Sequence, residues 1–251
     1  MYNCQESDSY RKRIYNAYVQ ARDEPLAPKD ISGLKPRLPY LRHLVSKHFP
    51  TDRDAVILEL GCGHGALLYV LNQTGYRNVK GVDGSIEQVA AAEALGIHGV
   101  SQGDFRTTLS STPDCTVDVI VTFDVIEHFT KGELIQIVDA VHRVLKPGGE
   151  WIIHAPNSEG PFSSRIRYGD FTHEIAFTRS SLTQLLRSSG FTNIQYFEDK
   201  PIAHGLKSAV RAVLWRLIRW GLLLYIAVET GVIDRGAVFS QNLVAVAQRS
   251  D

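Results

Sequence analysis

The sequence predicts an α/β fold, in which helices cover both faces of a parallel sheet. Short apolar runs, typical of buried strands, alternate with helical patterns: strands at 55–60, 79–82, 99–102, 117–123 and 150–155, and helices at 66–74, 85–95 and 131–145. Such alternation is typical of βαβ units, whose crossovers place helices on both sides of a parallel sheet. The 251 residues are enough for a full hydrophobic core, and one domain is the natural expectation.

The first predicted strand ends in a glycine-rich turn. Residues 57–66 read ILELGCGHGA, so Gly61, Gly63 and Gly65 separate the strand from the first helix. Glycines let a backbone approach a ligand closely, and the helix start offers unpaired N–H groups. Asp83 ends the second strand, where a carboxylate can accept hydrogen bonds from ribose hydroxyls. These features predict an adenosine-type cofactor. Read alone, the turn also fits a nicotinamide dinucleotide.

The two ends of the chain depart from this alternation. Residues 10–22 and 40–49 have helical character, joined by a proline-containing connector at 24–39, and together predict a helical cap at 1–50. After strand five, we expect a helix at 179–189 and a strand at 191–197. A final strand at 239–248 follows an insertion at 198–238, whose helical stretch covers residues 209–228.

Six segments, in order, resemble motifs of the class I S-adenosylmethionine-dependent methyltransferases. They are ELGCGHG at 59–65, GVD at 81–83, GDF at 103–105, FDVIEH at 123–128, VLKPGG at 144–149, and the stretch from Phe177 to Phe191. The resemblance implies a Rossmann-like sheet of seven mostly parallel strands, with the last strand inserted antiparallel beside strand five. It also implies a methyltransferase domain over 51–251. A nicotinamide-dependent oxidoreductase is the alternative, but no catalytic Tyr-Lys or His pair follows strand four or five.

The resemblance implies a set of S-adenosylmethionine contacts. Gly61 and Gly63 would pass beneath the methionine part, and Asp83 would hold the ribose. Glu59 would bind either the amino group or the N–H groups of the turn. The full set that we expect to bind the cofactor is Glu59, Gly61, Cys62, Gly63, Asp83, Gly84, Asp104, Phe105, Phe123 and Asp124. Cys62 is expected to pack and not to act as a nucleophile. Ser85 is a candidate N-cap, with Gln88 at the position that closes a capping box.

Two histidines are candidate general bases. An oxygen acceptor needs a proton removed, and His128 and His173 follow strands four and five, where an acceptor would enter. Asp124, Glu127 and His128 also resemble the acid-acid-His cluster of the quinone O-methyltransferase branch, which can hold a divalent metal. Asp124 is shorter than the acid expected there, and we assign no metal site. The remaining histidines show no usable partner spacing: His43, His48, His64, His98, His142, His154 and His204.

The insertion at 198–238 leaves the rim of the expected active site, and we expect it to build an acceptor pocket or its lid. Its helix combines apolar residues with Arg211, Arg216, Arg219, Trp215 and Trp220. Three interpretations stay open. It is a core helix, a homodimer contact, or a peripheral contact through 207–228 with a membrane or a lipid-linked acceptor. Its uninterrupted apolar part is too short to span a bilayer.

Composition narrows the class of partner. Lysine plus arginine equals aspartate plus glutamate, at 27 each, so no overall basic field favours nucleic acid. The three cysteines have neither pairing nor metal spacing, which predicts a reducing, cytoplasmic setting, with peripheral membrane association left open. The resemblance favours O-methylation of a sugar or lipid-linked hydroxyl, then a phenol. A non-catalytic, cofactor-binding regulator is the second class of function.

Overall fold

One mixed sheet organises the protein. The structure is a computed structural model and describes Arg13 and residues 27–250. Its strands are β1 Val56–Leu60, β2 Asn78–Asp83, β3 Val100–Gln102, β4 Val117–Phe123, β5 Leu145–Pro156, β6 Phe191–Glu198 and β7 Asn242–Arg249. They lie in the order β3-β2-β1-β4-β5-β7-β6. The helix predicted at 10–22 lies outside the described residues, apart from Arg13.

Helices connect these strands and cover the sheet. They are α1 Leu38–His48, α2 Ala66–Gln73, α3 Ile86–Ala94, α4 Phe105–Ser111, α5 Lys131–Val144, α6 Ser163–Arg167, α7 Arg179–Ser188 and α8 Leu206–Thr230. Two short 3-10 helices cover Ile31–Leu34 and Ile126–His128. Most predicted elements are confirmed to within a few residues. Helices α4 and α6 were not predicted from the sequence.

Strand pairing confirms the predicted topology. β1 pairs in parallel with both β2 and β4, and β4 pairs in parallel with β5. β7 is antiparallel to both β5 and β6, so it is inserted between them. Because parallel strands share direction, β1, β2, β4 and β5 all end at one edge of the sheet. Ligands of open α/β sheets bind outside this edge.

Apolar side chains form a core on each face of the sheet. β1 shows the division: Leu58 and Leu60 join the cluster under α5 and α7, whereas Ile57 joins the cluster under α1 and α2. The first cluster includes the fully buried Trp151 and Phe191. Leu41, Leu44 and Val45 of α1 belong to the second cluster, so α1 packs directly on the sheet. Alternation along the strand thus directs adjacent residues to opposite cores.

Helix α8 packs on the domain along one side only. Leu223 is buried with Ala237 and Phe239, and Trp215, Leu222 and Ile226 are packed against them. Ser208 is the other buried residue of the helix. The expectation of a core helix therefore holds for one face of α8, and its other side is exposed. Among the described residues, no helix combines the length and apolarity needed to cross a bilayer.

Two local expectations differ from the structure. The predicted capping box at α3 is only half formed: Ser85 Oγ accepts from the backbone N–H of Gln88 at 3.3 Å, but the Gln88 side chain approaches His64. Strand β5 begins at Leu145 and not at residue 150 as predicted, because Leu145 already pairs with Val117 across an irregularity in register. In both cases, tertiary contacts replaced the local pattern.

Thr130 is expected to stabilise α5 through its capping box. Its hydroxyl accepts from the N–H of Glu133 at 3.4 Å, and a Glu133 carboxylate oxygen accepts from the Thr130 N–H at 2.8 Å. Thr130→Ala should lower the free energy of unfolding by about 1 kcal/mol, because one N–H of the first turn loses its acceptor. Urea unfolding measures this. Thr130→Ser keeps the oxygen and should stay close to the wild type; equal losses in both variants would contradict the capping role.

Candidate active site

A cavity of about 810 Å³ opens at the carboxyl edge of β1, β2 and β4. All ten residues predicted to bind the cofactor line it: Glu59, Gly61, Cys62, Gly63, Asp83, Gly84, Asp104, Phe105, Phe123 and Asp124. His128 lines it as well, whereas His173 lies behind it. Sequence reasoning missed the other eleven lining residues, among them Arg37, Leu41, Gln88 and Phe129. Arg37 and Leu41 come from the region of α1, which no local motif connected to the site.

The glycine turn forms the wall of this cavity after β1. Gly61 and Gly63 have φ angles of 76° and 54°, a left-handed region that other residues rarely adopt. The N–H of Gly61 donates to the carbonyl of Val82 at 2.8 Å, which ties the turn to β2. A Cβ on Gly61 would overlap the Val125 side chain. Glycine is therefore required at position 61 by both conformation and space.

Asp83 joins the first two strand-to-helix turns. One carboxylate oxygen accepts from the N–H of Gly63 at 2.7 Å, and the other accepts from the N–H of Ser85 at 2.9 Å. Each carboxylate oxygen has two acceptor positions, so each keeps capacity for a further donor. The side chain is thus held rigidly at the cavity wall, with acceptors remaining for the two hydroxyls of a ribose.

Glu59 places a buried carboxyl group at the cavity. It is 3% exposed, and its Oε2 has no hydrogen-bond partner among the described residues. Burial raises the pKa of Glu59 to about 8, with Arg37 opposing the shift and Asp83 adding to it. An orphaned buried carboxyl oxygen is costly unless a donor reaches it. This arrangement fits an ammonium group, and therefore the methionine part of S-adenosylmethionine.

One side of the cavity is built by α4. Asp104 is the N-cap of this helix, and its Oδ1 accepts from the N–H of Thr107 at 3.0 Å. The Phe105 ring packs edge-on against Phe129, with 5.8 Å between centroids. One polar and one apolar side chain therefore border this part of the cavity. The sequence analysis placed both residues here without identifying the helix that positions them.

Asp124 holds an unusual backbone conformation at the end of β4. Its φ angle is 56°, and its Oδ1 lies 2.6 Å from Nδ1 of His154. Nε2 of His154 lies 3.3 Å from a carboxylate oxygen of Asp199, and the Phe123 ring stacks on the imidazole at 3.9 Å. The sequence analysis assigned no role to His154, because its partners are 30 and 45 positions away.

The ionisation of this group follows from its partners. Burial lowers the pKa of His154, but Asp124 and Asp199 outweigh it and raise that pKa to about 10. The imidazole is therefore a cation at neutral pH. Burial would raise the pKa of Asp124, yet the cation beside it keeps that pKa below the usual value. Phe123 and Asp124 are thus fixed at the cavity by a charged hydrogen-bonded chain from β4 through β5 to the end of β6.

The two predicted general bases lie together. The rings of His128 and His173 are 4.8 Å apart and meet edge to face. Nδ1 of His173 lies 3.1 Å from the carbonyl of Ile166, which only accepts, so Nδ1 carries the proton. Nδ1 of His128 lies 2.8 Å from Thr172 Oγ1, whose single proton goes to Asp170 at 2.6 Å. In their neutral form, both histidines therefore have their lone pair on Nε2.

Glu127 completes this cluster. It is 1% exposed, and neither carboxyl oxygen has a hydrogen-bond partner among the described residues. Burial raises its pKa to about 8, with Asp124 adding to the shift, and its Oε1 lies 3.9 Å from Nε2 of His173. Burial also lowers the pKa of His128 to about 4, so this imidazole is neutral at neutral pH. Nε2 of His128 is thus an unprotonated nitrogen beside the cavity.

The same three residues have the donor atoms for a divalent cation. Ligand atoms of Glu127, His128 and His173 lie within 4.8 Å of one another. This differs from the set of Asp124, Glu127 and His128 that the sequence resemblance suggested. Asp124 does not join because its carboxylate binds His154 instead.

Cys62 lies between the cavity and β2. A Cβ placed on Gly81 would lie 2.7 Å from the Cys62 sulfur, so thiol and glycine pack closely. Burial raises the pKa of this thiol, and Glu59 and Asp83 raise it further. A protonated, packed thiol agrees with the expected packing role.

Comparison with protein families identifies this region. Residues 35–196 match the family model described as a methyltransferase domain. A probable S-adenosylmethionine-dependent methyltransferase of Mycolicibacterium smegmatis is 32% identical over 145 residues. That alignment covers 57% of this chain and 54% of the relative, so this chain spans about half the length of that relative.

Solved structures share the fold at low sequence identity. An S-adenosylmethionine-dependent methyltransferase of Archaeoglobus fulgidus has a TM-score of 0.65 and 19% identity, covering 95% of this chain and 99% of that chain. Phosphoethanolamine N-methyltransferase 2 of Haemonchus contortus, solved with S-adenosyl-L-methionine, has a TM-score of 0.58 and 16% identity. It covers 84% of this chain and 52% of that chain. At these identities, the likeness extends to the fold alone.

Gly61 and Gly84 provide a matched test of the cavity wall. Gly61→Ala should lower the thermal midpoint, and it should weaken the affinity for S-adenosylhomocysteine at least about tenfold. The reason is that the new methyl group overlaps Val125 and the backbone must strain. Gly84 lines the same cavity, but a Cβ there meets nothing within 4 Å. Gly84→Ala should therefore leave the thermal midpoint of the free protein unchanged. Calorimetric titration and thermal unfolding measure both effects, and a stable, tightly binding Gly61→Ala variant would contradict this account.

Proposed function

Since the chain belongs to the class I S-adenosylmethionine-dependent methyltransferase family, we propose that it methylates a hydroxyl group of a sugar or lipid-linked small molecule. One observation carries the proposal: the cavity lined by the expected cofactor contacts also includes His128, whose neutral imidazole has its lone pair on Nε2. An oxygen nucleophile needs such an acceptor for its proton, whereas many other methyl acceptors do not. A phenolic hydroxyl is the next acceptor in order of preference.

The cofactor would be held by groups that already have fixed positions. Glu59 would accept from the amino group of the methionine part, and Asp83 would accept from the ribose hydroxyls. Asp104 and Phe105 would border the adenine, and Gly61 and Gly63 keep the backbone close to the ligand. S-adenosylmethionine supplies a methyl group on a sulfonium sulfur, which is electrophilic without further activation.

The protein must then align the acceptor hydroxyl and remove its proton. His128 lines the cavity and would accept the hydroxyl proton at Nε2. His173 packs edge-on against the His128 ring, with its Nε2 3.9 Å from Oε1 of Glu127, and would hold that ring in position. Thr172 and the carbonyl of Ile166 hold both rings in the required tautomer. The proton leaves the acceptor as its oxygen takes the methyl group, so charge and atoms balance without another reactant.

An enzyme would turn over S-adenosylmethionine, whereas a non-catalytic regulator would only bind it. Incubating the protein with S-adenosylmethionine and a panel of methyl glycosides, nucleotide sugars, polyprenyl phosphosugars and phenols should release S-adenosylhomocysteine with a hydroxyl acceptor. Mass spectrometry of the product should show the added methyl group on oxygen. Tight cofactor binding with no S-adenosylhomocysteine formed in the presence of any acceptor would favour the regulator. Binding of NAD without binding of S-adenosylmethionine would overturn the proposal entirely.

Ligand binding is expected to release a proton from Glu59. In the free protein this carboxyl is mostly protonated at pH 6 to 7, because its pKa is about 8. An ammonium ligand needs the ionised form, so affinity for S-adenosylhomocysteine should rise from pH 6 to 7.5, by up to about tenfold per pH unit. Calorimetry in buffers of different ionisation enthalpy counts the protons released.

Two variants isolate the source of that proton. Glu59→Gln should bind more weakly and lose the pH dependence. Glu87→Gln is the matched control, since Glu87 lines the same cavity but has a lowered pKa and is ionised throughout this range. A wild-type affinity that does not change with pH, or a slope that persists in Glu59→Gln, would show that Glu59 is not the titrating group.

His128 and His173 should control turnover of a hydroxyl acceptor. His128→Asn should lower kcat by about 10² to 10⁴, the usual range for a lost general base, and His173→Asn should lower kcat less, because His173 acts through His128. His173→Asn should leave the affinity for S-adenosylhomocysteine unchanged, because His173 does not line the cavity. His98→Asn, on the surface, is the control. If EDTA abolishes the wild-type rate and Mn²⁺ restores it, the cluster of Glu127, His128 and His173 works as a metal site instead.

A further inference from the structure

Helix α8 is held against the domain with a fixed rotation about its own axis. The carboxylate of Glu198, at the end of β6, accepts from Nε1 of Trp215 at 3.1 Å and from Nε of Arg219 at 3.2 Å. Arg219 also donates to the carbonyls of Arg235 and Ala237 at 2.9 and 3.0 Å. Trp215, Arg219 and the buried Leu223 therefore define the inner side of the helix.

The opposite side of α8 is apolar and exposed. Leu217, Trp220 and Val228 are 64%, 73% and 79% exposed. We call this side the outer face of α8 and define it by ten exposed apolar residues: Leu206, Val210, Val213, Leu214, Leu217, Ile218, Trp220, Leu224, Tyr225 and Val228. At about 100° per residue, they cover an arc of roughly 160°. A monomeric protein rarely exposes a continuous apolar surface of this kind.

The charges around the outer face are all basic until its last turn. Residues 200–228 contain no aspartate or glutamate. Arg211 and Arg216 lie at opposite edges of the arc, and Lys207 lies within it at the first turn. None of these three side chains forms an ion pair with a described residue, whereas Arg219 pairs with Glu198. The helix therefore combines a broad apolar face with unneutralised basic edges.

We propose that the outer face of α8 lies in the surface of an anionic lipid bilayer. An interfacial helix buries its apolar residues at the boundary between headgroups and acyl chains, and its basic edges attract anionic headgroups. Trp220 and Tyr225 have the amphipathic rings that favour this depth.

A second copy of the chain fits the outer face of α8 less well than a bilayer does. A symmetric contact would bring the arginine-lined edges together, and a helical seam needs a narrower stripe than 160°.

The surface next to α8 also favours contact with an anionic lipid bilayer. A second cavity, of about 530 Å³, lies beside α8 and includes Phe162, Lys200, Arg211 and Ile218 in its lining. Phe162 is 72% exposed, so the apolar surface continues beyond the helix, next to two basic side chains that suit an anionic headgroup. Asp199 lines this cavity and bonds to His154, whose other nitrogen bonds to Asp124 of the cofactor cavity. Membrane contact and the catalytic edge are therefore neighbours.

Vesicle binding by the full chain tests this proposal without depending on methyl transfer. In co-sedimentation without S-adenosylmethionine, the protein should partition at least about tenfold more strongly onto vesicles of 30% phosphatidylglycerol in phosphatidylcholine than onto phosphatidylcholine alone. High salt should weaken the anionic preference. The fluorescence of Trp220 should shift to the blue on binding and be quenched by brominated lipid. Trp220→Phe should remove that shift.

Paired variants separate the outer face from general effects. Leu217→Glu with Leu224→Glu should lower partitioning at least about tenfold, whereas Ile135→Glu, the same change on the exposed side of α5, should not. Arg211→Glu with Arg216→Glu should abolish the preference for anionic vesicles, and Lys131→Glu should keep it. Circular dichroism and S-adenosylhomocysteine binding check that each variant is folded. The proposal is overturned by absent binding to anionic vesicles, by equal losses in the controls, or by a dimer in ultracentrifugation that Leu217→Glu dissociates.

Discussion

The carboxylate of Asp83 is the contact on which the cofactor cavity depends. It accepts from Gly63 after β1 and from Ser85 after β2, and so fixes two turns from adjacent strands relative to one another. The bond from Gly61 to the Val82 carbonyl reinforces this link. Because both strands end at the same edge of a parallel sheet, one short acidic side chain can bridge the two turns and still face a ligand. The glycines are needed because their turn must come this close to β2.

Buried ionisable groups give the site its chemical character. Glu59 and Glu127 are carboxyls whose charged form is disfavoured by burial, and His154 is an imidazole whose charged form is favoured by two carboxylates. At neutral pH, both glutamates are therefore mostly uncharged and the histidine is charged, which is the reverse of their usual states. Such perturbed groups cluster where a protein binds charged ligands or moves protons. Here, one carboxyl borders the cavity wall, and the other adjoins the paired histidines.

Helix α8 is anchored beside the charged chain that reaches the cofactor cavity. Glu198 fixes its inner side with two hydrogen-bonded partners, and the adjoining residue, Asp199, belongs to the charged chain that reaches Asp124. The insertion is therefore anchored beside the catalytic edge and presents its apolar residues outward. A lipid-linked acceptor would reach such a site without leaving the membrane surface. The architecture of the insertion thus favours the proposed lipid-linked class of acceptor.

The sequence by itself determined the fold class, the order of the strands along the chain and the ten cavity residues predicted to bind the cofactor. These follow from local signals, namely apolar runs, the glycine turn and polar residues at the ends of strands, and from the resemblance to methyltransferase motifs. Tertiary structure alone decided that His154 joins Asp124 and Asp199, that His128 meets His173, and which face of α8 is exposed. Those contacts join residues that are 30 or more positions apart, or depend on how a helix is rotated. Strand register and loop path decide both, and no local pattern records them.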